Sequence, residues 1–149
     1  DLIVDGVAAF DQYGGPCVVV DFGTATTFSA ISARGEYLGT VIAPGIEVSI
    51  EALAQRAAKL SRIELVDPGT VIGKTTVHSM QAGAVYGFAG QVDGIVSRVR
   101  EELGGKAVSI ATGGLACLIF EHARTLDLVD NMLTLKGLEI IYRRTQEAR

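Results

Sequence analysis

The heptapeptide Asp21-Phe22-Gly23-Thr24-Ala25-Thr26-Thr27 holds the densest potential for chemistry in the chain. It follows the apolar run Val18-Val19-Val20, so Asp21 stands where a buried strand ends. A carboxylate there is costly unless a cation or several N–H donors offset its desolvation. Gly23 permits a tight turn whose exposed N–H groups can cradle phosphate oxygens, and the threonines add hydroxyl donors. Read alone, the same peptide fits a polar hairpin turn capped by Asp21. Thr112-Gly113-Gly114 also follows an apolar strand and opens a helix. Glycines there let a flat ligand approach, and a helix N-terminus favours anions; a simple strand-to-helix turn has the same composition. Gly73-Lys74-Thr75-Thr76 superficially matches the end of a phosphate-binding loop, but the full spacing needs glycine where Pro68 stands. What remains is a helix start, with Thr75 as cap and Thr76 as a ligand donor. His78 and His122 have no metal-ligand partners at a useful spacing. Asp1, Asp5 and Asp11 read, by composition, as solvated helix charges.

The elements that must position these residues follow from periodicity. Leu2 to Tyr13 predicts a helix, ended by Gly14-Gly15-Pro16. Val18–Val20, Thr26–Ser32 and Tyr37–Ala43 predict three strands joined by short turns, an antiparallel meander. Val48, Ile50, Leu53, Ala54, Ala57 and Leu60 follow the helical repeat, and Ile63–Val66 predicts a short strand. The longest helix runs from Thr76 to about Leu103 and carries a stripe of Gly83, Gly87, Gly90 and Gly94. Each costs roughly 0.5–1 kcal/mol against alanine, so the stripe implies close approach of another helix or of a partner subunit. Ala107–Ala111 predicts a strand, Leu115–Ala123 a short helix, Leu126–Val129 a last strand, and Thr134–Gln146 a closing amphipathic helix.

Composition narrows the function. The 149 residues carry 13 Lys and Arg against 17 Asp and Glu, a net charge of −4, which argues against a nucleic-acid partner. A hydrophobic fraction of 48% excludes a disordered chain. No apolar run approaches the roughly 18 residues of a membrane span, and no secretory leader pattern is present. Cys17 and Cys117 read as reduced, buried thiols of a cytoplasmic protein. One domain over residues 1–149 is expected.

The order β-β-β-α-β-α-β-α behind a leading helix is the ribonuclease H-like α/β layout, the lobe of the actin, sugar-kinase and heat-shock type of ATPase. The chain resembles the type III pantothenate kinases, the family that includes the Bvg accessory factor proteins. The stretches that carry the resemblance include Val19–Thr27, Ile42–Ile46, Arg56–Leu60, Gly73-Lys74 with Thr76, Ser79–Gly83, Ile110–Ala116 and Leu133–Leu138. The resemblance implies ATP-dependent phosphorylation of pantothenate, the first step of coenzyme A biosynthesis. It implies a homodimer, a monovalent cation (potassium or ammonium) and a divalent one, magnesium. In its terms Asp1 is the catalytic aspartate, which also touches substrate, and Asp21 holds the monovalent cation. Gly23 and Thr24 contact ATP, Thr112, Gly113 and Gly114 line the adenosine side, and Thr76 contacts pantothenate. The departures are Leu2 where the family has arginine and Asp5 where asparagine is usual. The family's upstream phosphate-binding motif is also missing. The expectation is therefore a C-terminal lobe, not competent as a kinase alone. A non-catalytic accessory protein acting through a protein partner is the alternative, and another phosphotransferase of the same fold is a third reading.

Overall fold

The computed structural model describes residues 1–149. Helix α1 (Leu2–Tyr13) turns Asp5, Gly6, Ala8 and Ala9 inward, and Gly14 ends it with φ at 76°. Strands β1 (Cys17–Phe22), β2 (Ala25–Ile31) and β3 (Tyr37–Pro44) form the meander. Helix α2 (Ile46–Arg56) follows, then a long irregular segment, then α3 (Thr76–Glu102), whose N-cap Thr75 accepts a hydrogen bond from the His78 N–H. Strand β4 (Val108–Gly113), helix α4 (Ala116–Phe120), strand β5 (Leu128–Val129) and helix α5 (Leu133–Glu147) complete the chain.

One mixed sheet has the order β3-β2-β1-β4-β5. β1, β2 and β3 pair antiparallel, whereas β4 runs parallel to both β1 and β5. A meander extended by parallel strands through crossover helices is the ribonuclease H-like arrangement that the sequence order implies. Because side chains alternate along a strand, β1 feeds two cores. Val18, Val20 and Phe22 pack with Phe28, Ile46, Val92, Val96 and Ile119 on the side of α2, α3 and α4. Cys17 and Val19 pack with Ala8, Ala9, Ile31, Ile110, Leu133 and Ile140 beneath α1 and α5. Each fully buried Val or Ile is worth about 1.5–3 kcal/mol of transfer free energy, so both layers hold the sheet. Helices α1 and α5 touch closely: a Cβ on Gly137 would lie 2.2 Å from the Val4 carbonyl oxygen.

Four expectations are corrected. Residues 63–66 form no strand; Gln81 Nε2 donates to the Glu64 carbonyl instead, pinning that segment to α3. The same segment is held further on, where Asp67 accepts from the Tyr86 hydroxyl at 2.7 Å and lies 3.1 Å from His122 Nε2. Strand β1 continues past Val20 through Asp21 to Phe22, because backbone pairing is indifferent to the side chain at position 21. Helix α4 has five residues rather than nine, which leaves little macrodipole at its start. Cys117 is exposed, while Cys17 is buried and its thiol is pushed up to about 11 by that burial. Most of the glycine stripe also meets nothing within this chain; at Gly94 a Cβ would lie 3.5 Å from the Arg98 guanidinium. A Cβ built on Gly83, Gly87 or Gly90 would stand in open space, so close packing inside the chain is not its reason.

Candidate functional site

The polar residues gather at the carboxyl ends of β1 and β4, where an open α/β sheet presents ligands. Asp21 pairs directly with Thr27 on β2 and with Thr112 on β4. Paired residues share a face of a sheet, so all three project to the side of α1 and α5. Thr112 is buried, and the buried Thr27 Oγ1 has no hydrogen-bond partner. Asp21 is half-buried. Burial raises its carboxyl above the ordinary range, and the negative charge of Asp5 adds to that, while the α-amino group of Asp1 opposes it. Asp5 itself is 1% exposed. Its Oδ1 accepts from the Thr134 hydroxyl at 2.6 Å, whereas its Oδ2 has no partner. Burial raises the Asp5 carboxyl despite that hydrogen bond and the same α-amino group.

Gly113 closes the bottom of the site. Its φ is +99°, and a Cβ there would lie 2.6 Å from the Phe22 carbonyl oxygen and 2.7 Å from Asp21 Oδ1. Glycine therefore lets β4 pass directly under the carboxylate. The β1–β2 turn is fixed from the other side. Gly45 donates its N–H to the Thr24 carbonyl at 3.0 Å, and a Cβ on Gly45 would come within 2.2 Å of the same oxygen. As a result the two glycine turns meet. Gly23 and Thr24 from one, and Gly114 and Leu115 from the other, line a cavity of about 270 Å³ together with Phe22 and Glu47. Glu47 escapes sequence reasoning: it carries no local signal and arrives through the packing of α2 against the turn. The carboxylate of Glu47 can accept from hydroxyls or face a cation, which complements the donors of the turn.

The remaining residues stand apart. Asp1 is exposed at the N-cap of α1, and its side chain makes no capping hydrogen bond. Thr76 opens α3 and lines a separate cavity of about 830 Å³ with Ser49, Lys74, Ser79, Met80 and Phe88. Within one chain the structure brings Gly23, Thr24 and Gly114 together and sets Asp21, Thr112 and Gly113 beside one another, but it leaves Thr76 elsewhere. No three His, Cys, Asp or Glu side chains converge on one point. A cation at the sheet end would thus rest on Asp21 with hydroxyl and backbone oxygens, and the unpartnered Oδ2 of Asp5 and Oγ1 of Thr27 are oxygen donors of the kind a hard cation takes.

Asp130, just past β5, explains how α5 is held over this end. Its carboxylate accepts from Tyr13 Oη and Lys136 Nζ, each at 2.7 Å, and from the Met132 N–H at 3.0 Å. Burial pushes Asp130 up, but these donors outweigh it and hold the carboxyl below its ordinary value, while Tyr13, buried against it, rises to about 12. A folded-state value below the unfolded one means stability that is present above the unfolded value and lost as pH falls through the folded one. Asp130→Asn is expected to lower stability at pH 7 by about 1.5–3 kcal/mol, the range for hydrogen bonds to a charged group. In thermal melts the gap from wild type should begin to close as pH drops below 3.8, where the unfolded chain takes up the proton, and should be gone once pH has fallen through the lower folded-state value. A gap of constant size down to pH 2 would show that charge plays no part.

Comparison with known proteins bears on the fold and the family. A Baf-family protein of Campylobacter jejuni superposes with a TM-score of 0.66 over 97% of this chain and 65% of its own, at 20% identity, which speaks to the fold. Type III pantothenate kinase of Moorella thermoacetica is 61% identical over 144 residues, and those of Acidothermus cellulolyticus and an Exiguobacterium species are 56% and 57% identical. The alignments take in 97–99% of this chain but 56–58% of the relatives, so the chain spans little more than half their length. The type III pantothenate kinase family model matches residues 1–98, which takes in the meander and most of α3. With that match and identities this high, the chain belongs to the type III pantothenate kinase family.

Proposed function

We propose that this chain is the C-terminal lobe of an enzyme that phosphorylates pantothenate with ATP, giving 4'-phosphopantothenate in the first step of coenzyme A biosynthesis. The observation that supports it most is the meeting of the two glycine turns in one cavity beside Asp21, in a chain of this family. In this reading the Gly23 and Thr24 turn donates to ATP phosphates, while Thr112, Gly113 and Gly114 leave room for the adenosine side. Asp21 holds a monovalent cation, potassium or ammonium, and a divalent cation, magnesium, accompanies ATP. When bound, these ions supply positive charge to the phosphates. Asp1 accepts the proton of the pantothenate hydroxyl as its oxygen attacks. Phosphoryl transfer depends mostly on positioning and charge neutralisation, so one carboxylate and a set of backbone donors are enough protein chemistry.

Thr76 binds pantothenate from a second copy of the chain. The exposed stripe of Gly83, Gly87 and Gly90, next to the exposed Val71, Ile72 and Val77, supports a homodimer through the start of α3. The net charge of −4 supports small-molecule rather than nucleic-acid partners. No helix is long and apolar enough to cross a membrane. A cytoplasmic location fits a metabolic enzyme of this family.

Leu2, in the place of an arginine, favours a second reading: a non-catalytic family member acting through a protein partner. One experiment separates the two. The reading frame from which this chain comes, with whatever precedes Asp1, is assayed for pantothenate-dependent ADP release with and without potassium. Turnover that requires potassium is expected. A folded dimer silent in both conditions would sink the kinase and leave the accessory role.

A further inference from the structure

The preceding reading gives the cation at the sheet end one carboxylate, Asp21. Asp5 holds a second carboxylate on the same side of the sheet. It is 1% exposed, and helix α1 carries it over the face to which Asp21, Thr27 and Thr112 project. Thr134, in the first turn of α5, fixes one of its oxygens at 2.6 Å. The other oxygen is fully buried and has no donor. Thr27 Oγ1, beside Asp21 in register, is likewise buried without a partner. No Lys or Arg side chain pairs with either aspartate, since the nearby Lys136 is committed to Asp130. Two carboxylates on one face, one of them fully buried, with a spare oxygen and no basic side chain, call for neutralisation by a proton or by a cation lying between them.

We infer that Asp5 Oδ2 is a second anionic ligand, with Asp21, of a hard cation bound at the carboxyl end of β1. Thr134 is then a positioning residue: it turns Asp5 so that Oδ2 rather than Oδ1 faces the ion. Carboxylate and hydroxyl oxygens select hard cations, potassium or magnesium, over thiophilic metals. The inference deepens the Asp21 site and rests on that reading.

The test needs neither ATP nor pantothenate. Thermal unfolding of the protein is followed in tetramethylammonium chloride, with potassium chloride or magnesium chloride replacing it at constant ionic strength. The wild type should melt higher as one of the two cations is titrated in, and the responding arm names the ion. The half-saturating concentration should rise at least threefold in Asp5→Asn and in Asp21→Asn. Should Asp5→Asn fail to fold, Thr134→Val, which releases the tether, should give the same threefold rise. A wild type indifferent to both cations, or a rise below threefold on changing Asp5 (or Thr134 in its stead), overturns the inference. A rise in Asp21→Asn alone would retain the single-carboxylate site and discard Asp5. Loss of pantothenate-dependent turnover with the Asp5 effect intact would instead discard the kinase reading and keep the ion.

Discussion

Gly113→Ala should abolish nucleotide binding and cost about 3 kcal/mol of stability, while Gly114→Ala should cost little stability and weaken binding only by the methyl group it adds to the cavity wall. The two glycines are neighbours in the same turn, so the contrast isolates geometry from composition. Gly113 has φ at +99°, in the region that an L side chain adopts only at about 1–2 kcal/mol. Its Cβ would also press on the Phe22 carbonyl at 2.6 Å, the Phe22 nitrogen at 2.8 Å and Asp21 Oδ1 at 2.7 Å. Two of these are backbone atoms inside a paired strand and cannot rotate away, so overpacking adds about 1–3 kcal/mol more. Whatever relaxes must move the end of β1, and with it Asp21 and the Gly23–Thr24 turn. Gly114, by contrast, has open space where its Cβ would stand and no positive φ. The check is a pair of denaturant melts and a titration with a fluorescent ATP analogue. Equal effects of the two substitutions would show that the close approach of β4 to β1 is not what shapes the cavity.

Sequence patterning located the elements around this site well because its signals are local. Helix α1 has the bounds its apolar spacing and the Gly14 stop imply, and the start of β3 at Tyr37 follows from the Arg34-Gly35 turn. The clustering of Asp21 with threonines was equally visible. What escaped is information that sits in no single window. Residues 63–66 have the alternation of a strand, yet the sheet edges are taken by β3 and β5, and the Glu64 carbonyl finds Gln81 instead. Glu47 lines the cavity because α2 folds back over the β1–β2 turn, and nothing in its neighbours announces that. Asp5 reads as a surface charge on an amphipathic helix. Only the packing of α1 between the sheet and α5 buries it, and only Thr134, far along the chain, accounts for one of its oxygens. The glycine stripe was legible as a pattern, and only the structure shows that Gly83, Gly87 and Gly90 face open space.

Asp1→Asn should lower the turnover of pantothenate phosphorylation by about 10²–10⁴-fold, the usual contribution of a positioned general base. The fold should not notice. Asp1 is exposed and its side chain makes no capping hydrogen bond, so neither stability nor the start of α1 depends on its carboxylate. Asparagine keeps an oxygen that can accept a hydrogen bond from the substrate hydroxyl but cannot hold the transferred proton. Alanine removes both. The comparison of the two variants therefore separates positioning from proton transfer. If Asp1 takes the proton, Asn and Ala lose turnover to a similar extent, and the acid limb of the wild-type pH profile vanishes in both. If the carboxylate only orients the hydroxyl, Asn stays within about tenfold of wild type, because a loose phosphoryl-transfer transition state asks little of a base. Either way the KM for ATP should hold steady, since the turns at Gly23 and Gly113 that we propose for the nucleotide adjoin β1 and β4 and not α1. A large rise in that KM would mean that Asp1 acts on the nucleotide rather than on the hydroxyl.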